Sequence, residues 1–151
     1  MRSLCAITLL TVIAFAFAGP AFAGGTPQEE ANKKAVVEFY DKAINQKDFD
    51  AASKYIGSRY TQHNPGAADG PEGLKVFLQF AKEKLPNYHA DIKKVLADGD
   101  YVMLHVHTTR ESGDRGSAVM DIFKLENGKI VEHWDVVQPI PEKAANSNGM
   151  F

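Results

Sequence analysis

Between Tyr88 and Gln138 the chain alternates strand-like runs with turn signals, and this stretch limits the fold more than any other. The runs are Tyr88 to Leu96, Tyr101 to Arg110, Ser117 to Leu125 and Lys129 to Gln138. Asp98-Gly99, Ser112-Gly113 and Asn127-Gly128 separate them, and glycine supplies the positive φ that a tight reversal needs. Such short connections make neighbouring strands antiparallel, so a four-stranded meander is expected.

The first half reads as helical. Thr26, Pro27 and Glu29 form a capping-box start. Val36, Phe39, Tyr40, Ala43 and Ile44 then recur at helical spacing and predict one buried stripe. A second short helix is expected from Phe49 to about Tyr55. "YIGSRYTQHNP" follows as an extended segment stopped by Pro65-Gly66. A third helix opens at Pro71-Glu72, buries Leu74, Phe77, Leu78, Ala81 and Leu85, and ends at Pro86. Helices followed by a meander imply an α+β layered fold, with one sheet face covered by helices.

The ends read differently. Met1-Arg2, an apolar run from Leu4 to Ala18, and Ala21-Phe22-Ala23 before Gly24 have the form of a cleaved secretory leader. The chain is therefore read as residues 1–23 leader, 24–141 a single domain, and 142–151 a flexible tail, with a periplasmic or secreted destination. Cys5 lies in the leader and no cysteine follows Gly24, so the domain must hold together without disulfides. Beyond the leader, 16 basic residues face 19 acidic ones, a net charge of −3. No basic run points to nucleic acid or to an anionic membrane surface.

The last hairpin, "DIFKLENGKIVEHWDVVQP", carries groups that are awkward to bury. With Asn127-Gly128 as a two-residue loop, Glu126 pairs with Lys129 and Asp121 falls opposite Trp134. Alternation then places Asp121, Phe123, Ile130, Trp134 and Val136 on one face, and His133 and Asp135 on the other. Asp121 among apolar groups would have its pKa raised by burial, toward a range useful for acid/base work.

Other candidates are weaker. "YTQHNP" sets Tyr60, Gln62 and Asn64 on one side and Thr61 and His63 on the other, as at the rim or wall of a pocket. "YVMLHVHTTR" sets His105 and His107 on one strand face, a spacing that His63, His89 or Asp121 could complete as a metal set. No full ligand signature accompanies them, and no metal is expected. Which sheet face the two histidines occupy stays open, since a one-residue bulge exchanges the faces. There is no Gly-x-Ser-x-Gly motif, and "GAADGPEG" lacks the lysine and spacing of a phosphate loop.

Taken with the order of elements, "YTQHNPGAADGPEGLKVFL" and "DIFKLENGKIVEHWDVVQP" resemble the SnoaL-like polyketide cyclase group of the NTF2-like superfamily. The similarity spans most of Thr26 to Pro141. It implies a curved sheet wrapped into a cone, N-terminal helices on its concave face, and a homodimer formed through the sheets. It implies cofactor-free aldol-type cyclisation by an aspartate, with Asp121 the matching residue and His107 its partner. Tyr60, His63 and Asn64 would line the pocket, and Phe123 and Trp134 would exclude water. His63 is an alternative to His107 for stabilising the oxyanion. The expected function is thus an exported acid/base enzyme, a cyclase or isomerase type, acting on a small apolar carbonyl compound. The alternative is a module that binds such a molecule without transforming it.

Overall fold

The computed structural model describes residues 25–151, so the expected leader lies outside the described residues. Helix α1 (Pro27–Tyr40) starts as its residues dictate. Thr26 Oγ accepts from the Glu29 amide at 3.2 Å, and Glu29 returns a bond to the Thr26 amide at 2.6 Å. The other Glu29 oxygen accepts from the Gly99 amide at 2.9 Å. This ties the start of α1 to a turn of the sheet, and the amide bond of Gly99 is the chief reason the Glu29 pKa is lowered.

After Tyr40 the helix widens into a π turn, Asp41–Asn45, which sets Ala43 and Ile44 against the sheet. Asn45 then exchanges two hydrogen bonds with the backbone of Ala90, at 2.9 and 3.1 Å. A short helix α2 (Phe49–Ala52), capped by Asp48, leads through a 3-10 turn into strand β1 (Ile56–Gln62). Helix α3 (Gly70–Lys84) buries Leu74, Leu78 and Ala81 at helical spacing. Gly73 is required there: a Cβ would meet the Ala68 carbonyl oxygen at 2.0 Å.

Strands β2 (His89–Asp98), β3 (Tyr101–Thr109), β4 (Ser117–Glu126) and β5 (Lys129–Pro139) form the meander. The sheet order is β1-β5-β4-β3-β2. β1 joins β5 in parallel, and the other neighbours are antiparallel. The curved sheet with its N-terminal helices is the expected α+β architecture. The core lies between α1, α3 and the inner face, where Val36, Phe39, Leu78, Leu104, Val106, Phe123 and Ile130 are buried.

The question left open for β3 is resolved by burial. Val102, Leu104, Val106 and Thr108 face the helices, while Met103, His105 and His107 face outward. Residues 142–151 contribute no helix or strand, and Phe151 rests against the rings of His105 and His107.

The β4–β5 hairpin departs from the expected register. Asn127 and Gly128 do form a two-residue turn, both with positive φ. Glu126 pairs with Lys129 and Leu125 with Ile130, but Lys124 pairs with Glu132. Val131 is therefore an extra residue, a β-bulge, and Ile130 and Val131 are both buried. Everything beyond it is shifted by one. Asp121 faces Asp135, Phe123 faces His133, and Ile122 faces Trp134. So His133 and Asp135 share the inner face with Asp121, and Trp134 does not.

Candidate active site

A cavity of about 140 Å³ lies between α1, α3 and the inner sheet face. Phe39, Tyr40 and Ala43 come from α1 and the π turn, and Leu74 and Phe77 from α3. β4 supplies Val119, Asp121 and Phe123. Tyr60, Gln62 and Asn64 enter from β1 and the residues just after it, and His133 and Asp135 from β5. The cavity is largely apolar, with its polar groups gathered at one side.

Asp121 is the centre of that polar side and is 3 % exposed. Its Oδ2 accepts from the Tyr40 hydroxyl at 3.0 Å, and its Oδ1 meets His133 Nε2 at 3.1 Å. Burial pushes the Asp121 pKa up, while the bonds from His133 and Tyr40 pull against it.

The proton on His133 can be placed from its partners. The Asn64 amide can only donate, and it points at Gln62 Oε1 at 2.8 Å. That fixes which end of the Gln62 amide is oxygen. The same oxygen lies 3.0 Å from His133 Nδ1, so Nδ1 carries a hydrogen and donates. Nε2 then faces Asp121 with either a lone pair or a second proton. Only one proton between Nε2 and Oδ1 satisfies both atoms: neutral acid with neutral imidazole, or carboxylate with imidazolium. The His133 ring is held between Phe123 and Tyr60, at centroid distances of 4.7 and 6.3 Å.

The buried phenols are constrained as well. Desolvation raises the pKa values of Tyr40 and Tyr60, with the nearby carboxylates adding to it. Both hydroxyls therefore remain protonated donors well into alkaline solution. Asp135 accepts from Asn64 Nδ2 at 2.7 Å. One ligand atom each from Asp121, His133 and Asp135 lie within 4.8 Å of one another, so these residues could hold a cation. A cation there would have to replace the proton between Asp121 and His133 and compete with Asn64 for Asp135.

The sequence-predicted residues divide into two groups. Asp121, Phe123, Tyr60 and Asn64 line the cavity together. His107, His63 and Trp134 lie outside it. Alternation carries His107 to the outer face, where its Nε2 meets the Arg115 carbonyl oxygen at 2.8 Å. The Val131 bulge carries Trp134 outward, where it stacks on His63 at 4.6 Å with the rings 3° from parallel. His63 Nε2 pairs with Glu132 rather than with Asp121. The residue that takes the place expected for His107 is His133. Sequence reasoning missed it, and missed Tyr40 as more than a core residue. The signal for His133 was present in Ile130-Val131, two adjacent apolar residues where strict alternation allows one.

The profile of the SnoaL-like polyketide cyclase family matches residues 34–144. Among solved structures, a candidate polyketide cyclase from Bacillus cereus ATCC 10987 is similar at 26% identity and a TM-score of 0.61. The match covers 71% of this chain and 74% of that one. TsrD from Streptomyces laurentii is similar at 20% identity and a TM-score of 0.60, covering 71% of this chain and 88% of that one. A SnoaL-like protein of unknown function from Burkholderia thailandensis E264 gives 18% identity, a TM-score of 0.63, and coverage of 75% and 99%. No curated protein matches the chain. With the family profile spanning most of the domain and the fold shared with these structures, the chain belongs to the SnoaL-like polyketide cyclase family.

Proposed function

We propose that this protein is a cofactor-free acid/base enzyme of the cyclase or isomerase type, acting on a small apolar carbonyl compound. The observation that carries the reading is the buried Asp121–His133 pair, 3.1 Å apart and open to an apolar cavity. In the ion-pair form Asp121 takes a proton from the carbon next to the carbonyl, leaving an enolate. The Tyr40 and Tyr60 hydroxyls and the imidazolium balance the charge that develops. In a cyclisation the enolate carbon bonds to a second carbonyl carbon of the same molecule, and the new alkoxide takes its proton back from Asp121. In an isomerisation the proton returns to carbon.

Exchange of the protons next to the carbonyl of a small aryl ketone in D₂O, followed by NMR, tests the proposal. Enzyme-dependent exchange that vanishes in Asp121→Asn supports it. Tight binding with the ketone recovered unexchanged favours the binding module instead.

Two further expectations belong to the same reading. The leader-like residues before Gly24 support export to the periplasm or beyond. The outer sheet face supports pairing of two copies, since it exposes Leu96, Met120 and Val136 at 56%, 40% and 71%.

A further inference from the structure

The cavity volume sets a limit on what reaches Asp121. An apolar hollow of roughly 150 Å³ is filled by a single benzene ring. At about 140 Å³, this one admits one six-membered ring or a branched chain of similar bulk, and not a fused polycycle. The rest of a ligand must lie elsewhere, and the structure provides a place. A second, wider chamber of about 550 Å³ adjoins it, and Asn64, Phe77, Tyr88, Asp135 and Val137 line both.

Asp114 and Asp135 line the outer chamber, and one cation stands among them. Arg110 is the one arginine or lysine among the described residues lining either chamber. Its guanidinium makes no ion pair among the described residues. The acid beside it, Asp114, is already committed. Its two oxygens accept the amides of Arg110 and Gly116 at 2.9 and 2.8 Å. At the inner end the carboxyls of Asp121 and Asp135 face each other across two strands, which disfavours any further anion there.

We infer that the ligand is a two-part molecule: a single-ring or similarly compact ketone end seated against Asp121, and an anionic carboxylate end held at the mouth by Arg110. The inference rests on the reading of Asp121 and His133 as the reacting end and adds the substrate class. With Asp121 buried at the inner end and the one cation, Arg110, at the outer end, the orientation with the carboxylate outward is favoured.

The probes are 5-oxo-5-phenylpentanoate, its neutral methyl ester, and the 2-naphthyl counterpart of the acid, with binding measured by calorimetry. The acid is expected to bind about tenfold tighter than the ester. Arg110→Gln should remove that difference by weakening the acid alone, and unchanged ester binding shows that the variant is folded. The naphthyl acid should bind about tenfold or more weaker than the phenyl acid. Equal affinities of acid and ester, or an Arg110→Gln loss shared by both, would overturn the anionic subsite. Naphthyl binding as tight as phenyl would overturn the single-ring limit, and no binding of any probe at millimolar concentration would overturn both. Deuterium exchange next to the carbonyl of the ester is read separately. Ester exchange together with acid binding that Arg110→Gln leaves unchanged refutes the subsite, whereas weakened acid binding in Arg110→Gln without ester exchange refutes the catalytic reading and leaves the subsite standing.

Discussion

Asp121 and Asp135 occupy one register pair of β4 and β5, so two carboxyl groups face each other at the base of the cavity. Like charges so placed are tolerated because their partners differ. Asp121 has His133 and Tyr40, and Asp135 has Asn64. The charge on Asp135 adds to the burial that raises the Asp121 pKa. Replacing Asp135 by Asn removes that contribution, so the Asp121 pKa should fall. The acid limb of the pH profile for ketone proton exchange should then move to lower pH. A limb that stays put or moves upward would show that Asp135 does not act on the reacting pair.

The two histidines that sequence and structure rank differently give a direct contrast. His133→Ala removes the atom that shares a proton with Asp121 and should lower the exchange rate by about 10²- to 10⁴-fold. His107→Ala, whose ring lies on the outer face against Phe151, should leave the rate within about twofold of the parent. NMR exchange rates on the two variants check both at once. The reverse ranking would restore the expectation drawn from family resemblance.

Asp121 should also mark the pH dependence of stability. Its carboxyl has an ordinary value of 3.8 and is raised in the folded state. Well below 3.8 both states hold the proton, as they would for any carboxyl. As pH rises through that value the unfolded chain releases its proton first, so the folded state binds more protons and its stability declines. The decline ends once pH passes the raised folded value. Subtracting the Asp121→Asn curve cancels the other acids, including Glu29, Asp91 and Asp114, whose lowered values act in the opposite sense. The difference in urea unfolding free energy should fall from pH 4 upward, by about 1.4 kcal/mol per pH unit until the folded carboxyl ionises. A flat difference would mean that Asp121 is as wet as in the unfolded chain.

The outer face supplies a prediction about assembly. Met120 and Val136 are paired across β4 and β5 and both are exposed. If two copies pack there, Met120→Asp with Val136→Asp places charge at the centre of the contact and should yield monomer in sedimentation equilibrium. The fold should be unaffected, since neither side chain enters the core. A parent protein that is already monomeric at high concentration would remove the dimer from the proposal.

Much of this was legible because each signal is local. The capping box at Thr26 and Glu29, the stripe of Val36, Phe39 and Tyr40, and the turn at Asn127-Gly128 act within one or two turns of chain. The structure forms all three. Burial of Asp121 was legible for a similar reason, since Phe123 and Leu125 on its own strand set the inner face. Parity beyond Val131 was not. One extra residue reverses every later side chain, and the free energy that selects the bulge is tertiary: it buries both Ile130 and Val131 and turns His133 inward. His107 was misplaced for a related reason. Its strand alternates cleanly either way, and only packing of Val102, Leu104 and Val106 into the core beneath α1 decides the face.

The bulge itself can be tested by removing it. Val131 is the extra residue, so deleting it leaves Leu125 opposite Ile130 and Lys124 opposite Glu132 in unbroken register, and the later pairs, Asp121 with Asp135 and Phe123 with His133, are kept. His133 and Asp135 stay on the inner face, and Asp121 keeps its imidazole partner. What is lost is the buried Val131 side chain, at a cost on the order of 2 kcal/mol. Urea unfolding of the deletion variant measures that loss, and exchange of ketone protons should survive it. A folded deletion variant that no longer exchanges ketone protons would show that the bulge does more for the site than choose the face His133 occupies.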